Sequence, residues 1–205
     1  MNLTTASIFA AASVLGLSSL ITSCSNAAQL TGAWQGNPTR ITVPGAEYAT
    51  NTITLDFAPD QSNRRAGTLN ISATMDVQQA VNTTIDNTFN QPYTTSIAAT
   101  ASITGQYSAE KGDDDDILVH FDPSTFAVNI DPDGVTFSEN ILTDAPQATL
   151  DSITTATVER WRAAISSALQ AEFGKYSKIE DIKIHHDNMM SCEIADRDET
   201  FRLVQ

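Results

Sequence analysis

The sequence predicts a mainly β protein: an antiparallel, up-and-down β-barrel of about eight to ten strands with one amphipathic helix. Three observations predict it. Apolar residues recur at every second position over most of the chain, in stretches rich in Thr, Ile and Val. Clusters of turn-forming residues separate those stretches. One segment alone exchanges this period for that of a helix. Successive hairpins on a chain of this length close most naturally on themselves, because closure removes unpaired strand edges.

Alternation begins where Ile53, Leu55 and Phe57 interleave with Thr52, Thr54 and Asp56. Leu69, Ile71, Ala73, Met75 and Val77 then alternate with Asn70, Ser72, Thr74 and Asp76. The polar connection between them, Ala58–Gly67, makes the pair a hairpin with one dry and one wet face. Gln78–Thr95 is rich in Asn and Thr and contains Pro92, so it reads as a long surface loop or loosely formed strands. Ile97, Ala99, Ala101, Ile103, Gly105 and Tyr107 resume the period, their small members implying a curved strand or room in the interior. Ile117–Phe121 follows the run Asp113-Asp114-Asp115-Asp116. Phe126–Ile130 and Val135–Phe137 flank Asp131-Pro132-Asp133-Gly134, a sequence suited to a four-residue turn.

The helix is expected from Thr155 to Phe173. There Val158, Trp161, Ile165, Ala168, Leu169 and Phe173 form one apolar stripe opposite Glu159, Arg160, Arg162, Gln170 and Glu172. Ser152, Thr154 or Thr155 can cap its start, and Gly174 suits the position just beyond its end. Such a helix is expected to cover one opening of the barrel. Three short strands complete the chain, over Ile179–Ile184, Ser191–Ile194 and Phe201–Val204, the last two joined through Ala195–Asp198.

Ahead of the β pattern lies an uncharged apolar run, Ile8–Leu20, followed by Ile21-Thr22-Ser23-Cys24. It is too short for a stop-transfer helix and has the form of a secretory leader. The apolar-small-small-Cys order resembles the lipobox of bacterial lipoproteins. That resemblance implies a signal peptide over residues 1–23, acylation of Cys24, a short tether over 24–29 and a single barrel domain over 30–205. It also implies a place in the cell envelope. No acidic residue follows Cys24 directly, which favours an outer-membrane lipoprotein on the periplasmic face.

No charged residue precedes Cys24, so the whole formal charge of -14 falls on the roughly 180 residues after the leader. From Cys24 to Leu150 there are 15 acidic residues against four basic ones; from Asp151 onward, ten against seven. An acidic chain of this kind is excluded from binding nucleic acid or adhering electrostatically to anionic lipid. With Cys24 acylated, Cys192 has no thiol partner, so it is expected as a small buried hydrophobe.

Leu30-Thr31-Gly32-Ala33-Trp34 resembles the opening of lipocalin-like barrels, whose first strand carries Gly-x-Trp, here Gly32 and Trp34. The resemblance implies a basic side chain from the end of the barrel stacked on that tryptophan, with Arg202 the matching residue. It further implies an interior site for a small apolar or amphipathic ligand. The lining is expected from Trp34 and the inward set Ile53, Leu55, Phe57, Leu69, Ile71, Met75, Ile97 and Ile103.

Catalytic and metal motifs do not emerge. There is no Gly-x-Ser-x-Gly elbow, no His-Glu-x-x-His zinc helix and no phosphate-cradling glycine loop. Asp113–Asp116 lacks the spacing of a calcium loop and reads as a solvated hairpin tip. His185 and His186 point to opposite sides of a strand, so His185–Cys192 reads as a hairpin with Met and Cys packed inward and not as a copper or zinc site. A non-enzymatic protein without cofactor or metal is therefore expected, anchored to the membrane at Cys24 and binding a small apolar ligand. The alternative is an envelope assembly protein that meets a protein partner with its outer surface, through the helix around Trp161 and the Asn/Thr-rich stretch.

Overall fold

A computed structural model describes residues 26–81, 93–112, 115–138 and 145–204. The expected leader with Cys24, and Asp113 and Asp114 of the acidic run, lie outside them. Ten antiparallel strands form one sheet: β1 (Gly32–Gly36), β2 (Thr39–Arg40), β3 (Tyr48–Pro59), β4 (Ala66–Val81), β5 (Tyr93–Ala109), β6 (Ile117–Phe121), β7 (Ala127–Phe137), β8 (Lys178–His185), β9 (Met189–Glu193) and β10 (Asp198–Val204). The helix α1 (Gln147–Gly174) stands between β7 and β8.

The pairing closes on itself. β1 lies between β10 and β3, and the order continues β3-β4-β5-β6-β8-β9-β10 back to β1, a ring of eight strands. β2 continues the line of β1 along β3. The longest seam, β4 with β5, runs for 16 consecutive pairs from Ala66–Ser108 to Val81–Tyr93. The narrowest, β6 with β8, has two, Ile117–Ile179 and Leu118–Lys178. Beyond β6 the same edge of β5 is taken by β7, whose other side has no strand among the described residues. The chain fills that side with α1.

Alternation sets the layers. Buried and more exposed residues alternate regularly along β3 and β5, as a period of two requires when one face is dry. The inner faces and α1 share one hydrophobic core, to which the helix adds Val158, Trp161, Ile165, Leu169 and Phe173. Full burial of side chains of this size contributes about 1.5–3 kcal/mol each. That is what holds the described body of this acidic chain together.

Several details differ from the sequence-based expectation. Of Gln78–Thr95, read as a long loop or loosely formed strands, the two ends are regular strand: β4 extends to Val81 and β5 begins at Tyr93, because cross-strand pairing carries the polar ends along with the apolar centre, and 82–92 lie outside the described residues. The helix begins eight residues before Thr155. Pro146 occupies the N-cap with no side-chain cap, while Gln147 Nε2 donates to Asp151 Oδ1 and Ile153 packs beside Tyr93. Tertiary contact thus extends the helix past the apolar stripe. Gly174 is the last helical residue with φ -58°, and the chain tightens into a 3-10 turn over Lys175–Ser177 instead of leaving through a left-handed residue.

Asp131–Gly134 is a bulge and not a hairpin turn. Ile130 pairs with Ala99 and Val135 with Ile97, so four residues stand opposite Ala98 and β7 continues on the same neighbour. A Cβ on Gly134 would lie 3.2 Å from that of Ala98. Asn26–Gln29, expected within a tether, forms a 3-10 turn docked on the body with Ala27 and Leu30 fully buried.

Candidate functional site

All nine residues expected to line the interior are buried, and all belong to the one core cluster. Register explains why. Leu55, Ile71 and Ile103 form one rung across β3, β4 and β5, with Phe57, Leu69 and Gly105 on the next inward rung. Trp34 pairs with Leu55 on one side and Leu203 on the other, and its indole N–H donates to the Thr31 carbonyl over 3.0 Å. Strands β9 and β10 add Met190, Cys192 and Phe201 to the same interior. Of the nine, Ile103 also borders a surface cleft.

Arg202 does not stack on Trp34. It pairs with Gln35 and is exposed, whereas Trp34 faces inward opposite Leu203. Neighbours along a strand point to opposite faces, so residue 202 cannot share a side with residue 34 in this register.

The cleft at Ile103 has a volume of about 200 Å³ and lies where the end of α1 meets β5 and β6. Phe121, Phe126 and Phe173 give it aromatic walls, and Gln170 is the polar side chain at its edge. Phe126 and Phe173 meet edge to face at 6.1 Å. Residue Phe173 was legible as core from the helix period; Phe126 was legible only as a strand residue, with nothing to bring it to the helix.

A second pocket, of about 90 Å³, opens at the other half of α1 between Gln79, Tyr93, Thr95, Ile153, Arg160 and Trp161. Trp161 Nε1 donates to Gln79 Oε1 over 3.2 Å. Thr95 is 2 % exposed, and its hydroxyl has no hydrogen-bond partner among the described residues. Burial raises the Tyr93 hydroxyl above its ordinary pKa, an effect that the Arg160 charge partly offsets. Sequence reasoning missed this group because Thr95 falls in the stretch read as loop. Its odd-numbered place in the series Ile97, Ala99, Ala101 was the available signal.

The described part of the acidic run makes hydrogen bonds within the fold. Asp115 Oδ1 accepts from Asn26 Nδ2 at 2.9 Å, and Asp116 Oδ1 accepts from the Asp181 backbone N–H at 3.0 Å. The Asp115 carbonyl accepts from Ile182 N–H at 2.9 Å. These bonds clasp a bulge of β8 at which Asp181 has φ 51°. Lys178 bridges Glu180, Glu110 and Asp116 at 2.6, 3.2 and 3.4 Å, and the hydrogen bonds, led by that to Glu180, hold its ammonium above the usual lysine range. Among the described residues no three His, Cys, Asp or Glu side chains converge as metal ligands.

The hairpin after β8 packs Met190 and Cys192 inward, while His185 lies 3.0 Å from the Ser191 hydroxyl at the surface. Burial pushes the Cys192 thiol up to about 12. Among the described residues only Tyr48 and Val204 are exposed large hydrophobics. No helix among them is long and apolar enough to cross a membrane.

No family model, curated protein or solved structure matches this chain.

Proposed function

We propose that this chain is a lipid-anchored, non-enzymatic barrel protein of the cell envelope that holds a small apolar or amphipathic ligand. The observation that carries the reading is the aromatic cleft at Ile103. The inward side chains pack into one core cluster, which supports placing the ligand at the seam between helix and sheet. There it covers Phe121, Phe126 and Phe173 and leaves a polar end near Gln170. Each methylene removed from water contributes about 0.8 kcal/mol, so a short alkyl chain suffices for useful affinity. The anchor at Cys24 is supported by the leader pattern and by the docked turn Asn26–Gln29, which leaves two residues between lipid and body. In that arrangement the barrel rides directly against the bilayer, where apolar ligands are concentrated.

Native mass spectrometry of the full chain, purified from membranes without added ligand, tests the reading. An added mass that disappears in Gly174→Leu is the expected result. A Cβ at residue 174 meets nothing within 4 Å, so this change fills the cleft without disturbing the helix. The mass of the lipidated chain alone, under several gentle conditions, would overturn it. Cys24→Ser should release the protein from the membrane fraction.

A further inference from the structure

The pocket at the first half of α1 has a different chemistry from the aromatic cleft: its polar groups are a guanidinium, an amide, hydroxyls and an indole N–H, with no carboxylate among them. We infer that it binds a small carboxylate, either free or as the head group of a longer molecule. Thr95 Oγ1 is enclosed with no partner among the described residues, although a buried hydroxyl left unpaired is costly and such groups are rare without a reason. Gln79 has committed Oε1 to the Trp161 N–H, so its NH2 group remains to donate. Arg160 lies at the mouth, exposed, and makes no ion pair among the described residues. Its charge nevertheless acts on the neighbouring Tyr93.

Helix and sheet thus supply a cation, an amide and a hydroxyl around one space that contains no acceptor charge of its own. A guanidinium with added N–H and O–H donors is the pairing a carboxylate accepts best. Ile153, Ala156 and the Trp161 ring provide apolar walls for the carbon attached to it. Size limits the occupant. A cavity of about 150 Å³ takes benzene, so 90 Å³ admits a head group with a short stub of chain.

This site is separate from the cleft at Ile103, and the two proposals fail independently. The full chain, 15N-labelled in neutral detergent, is titrated with butyrate, butyramide and inorganic phosphate. The indole N–H signal of Trp161 is followed, assigned by its loss in Trp161→Phe. Butyrate should shift this signal with an affinity about tenfold or more above that of butyramide, as expected for a charge-assisted pair. Arg160→Gln, an exposed change, should bring butyrate down to the butyramide level, and Thr95→Val should weaken butyrate several-fold. Gly174→Leu should leave the titration unaltered. Equal affinity for butyrate and butyramide, butyrate affinity unchanged in Arg160→Gln, phosphate binding as tight as butyrate, or a signal that never moves would each overturn the inference.

Discussion

The indole N–H of Trp161 reaches Gln79 Oε1 across 82 residues of sequence, and this single bond ties the middle of the helix to the end of the longest strand pair. Gly45 completes the seat: it has φ +85°, and a Cβ there would come within 3.5 Å of the Trp161 ring. Trp161→Ala should cost about 3–5 kcal/mol, the range for deleting a large buried aromatic. Gly45→Ala should cost about 1 kcal/mol or more, since its positive φ strains any side chain. Urea midpoints at unchanged m-value measure both.

Asp115 and Asp116, just before β6, are tied to Asn26 and to backbone, and in these roles they brace the β8 bulge. Asp116→Ala should lower stability by about 1–2 kcal/mol through loss of a bond to the Asp181 N–H. Calcium or a chelator should leave the melting temperature of the parent chain unchanged. A rise with calcium would show site-specific binding to the folded state.

Acidity should act in two directions. Glu199 stands opposite Cys192, and burial first, then the Glu172 charge, raises its pKa above the ordinary glutamate value. The folded state therefore holds that proton to higher pH than the unfolded state does, and stability falls as pH rises through the folded pKa. Glu193, raised by desolvation and surrounding carboxylates, acts in the same sense. Asp60 and Asp122 are lowered by hydrogen bonds from Ser62 and Ser124, so their contribution is lost only in stronger acid, as pH falls through their folded pKa. Denaturation midpoints should rise on going from about pH 7 to about pH 5 and fall again below about pH 4. Glu199→Gln should raise the midpoint at neutral pH and flatten the first limb.

Cys192 should resist alkylation in the folded protein, because the thiolate is the reactive form and burial suppresses it. In denaturant one thiol per chain should react if Cys24 carries lipid. Two would show that it does not.

Thr95→Val should stabilise the unliganded protein by about 1 kcal/mol, because it removes a buried hydroxyl without a partner at nearly constant volume. The same change weakens carboxylate binding if the pocket is a site. Thermal melts with and without butyrate separate the two effects.

Much of this architecture is legible in the alternation alone. Ile53, Leu55 and Phe57 must face one way on any strand, and so must Leu69, Ile71 and Met75. Helical spacing placed Val158, Trp161, Ile165, Leu169 and Phe173 on one buried face in the same manner. Both inferences follow from local geometry, for which the period is sufficient. Position in the sequence could not show that Arg202 faces away from Trp34. That depends on which residue of β10 lies beside which residue of β1, and a slip of one reverses every face. Nor could it show that Asp131–Gly134 continues a strand, since a turn sequence becomes a bulge only when the next segment returns to the same neighbour.

The amino-acid sequence by itself determined the class of this protein: one sheet of alternating strands, one amphipathic helix and a core made of the inward set. The tertiary structure alone decided that β7 leaves the ring at β5, that α1 fills the side it opens, and that pockets of dissimilar chemistry therefore form along the helix. The physical reason is range. Periodicity reports how each segment divides water from apolar surroundings, whereas a pocket joins side chains such as Thr95 and Arg160, or Phe126 and Phe173, that only long-range packing brings together.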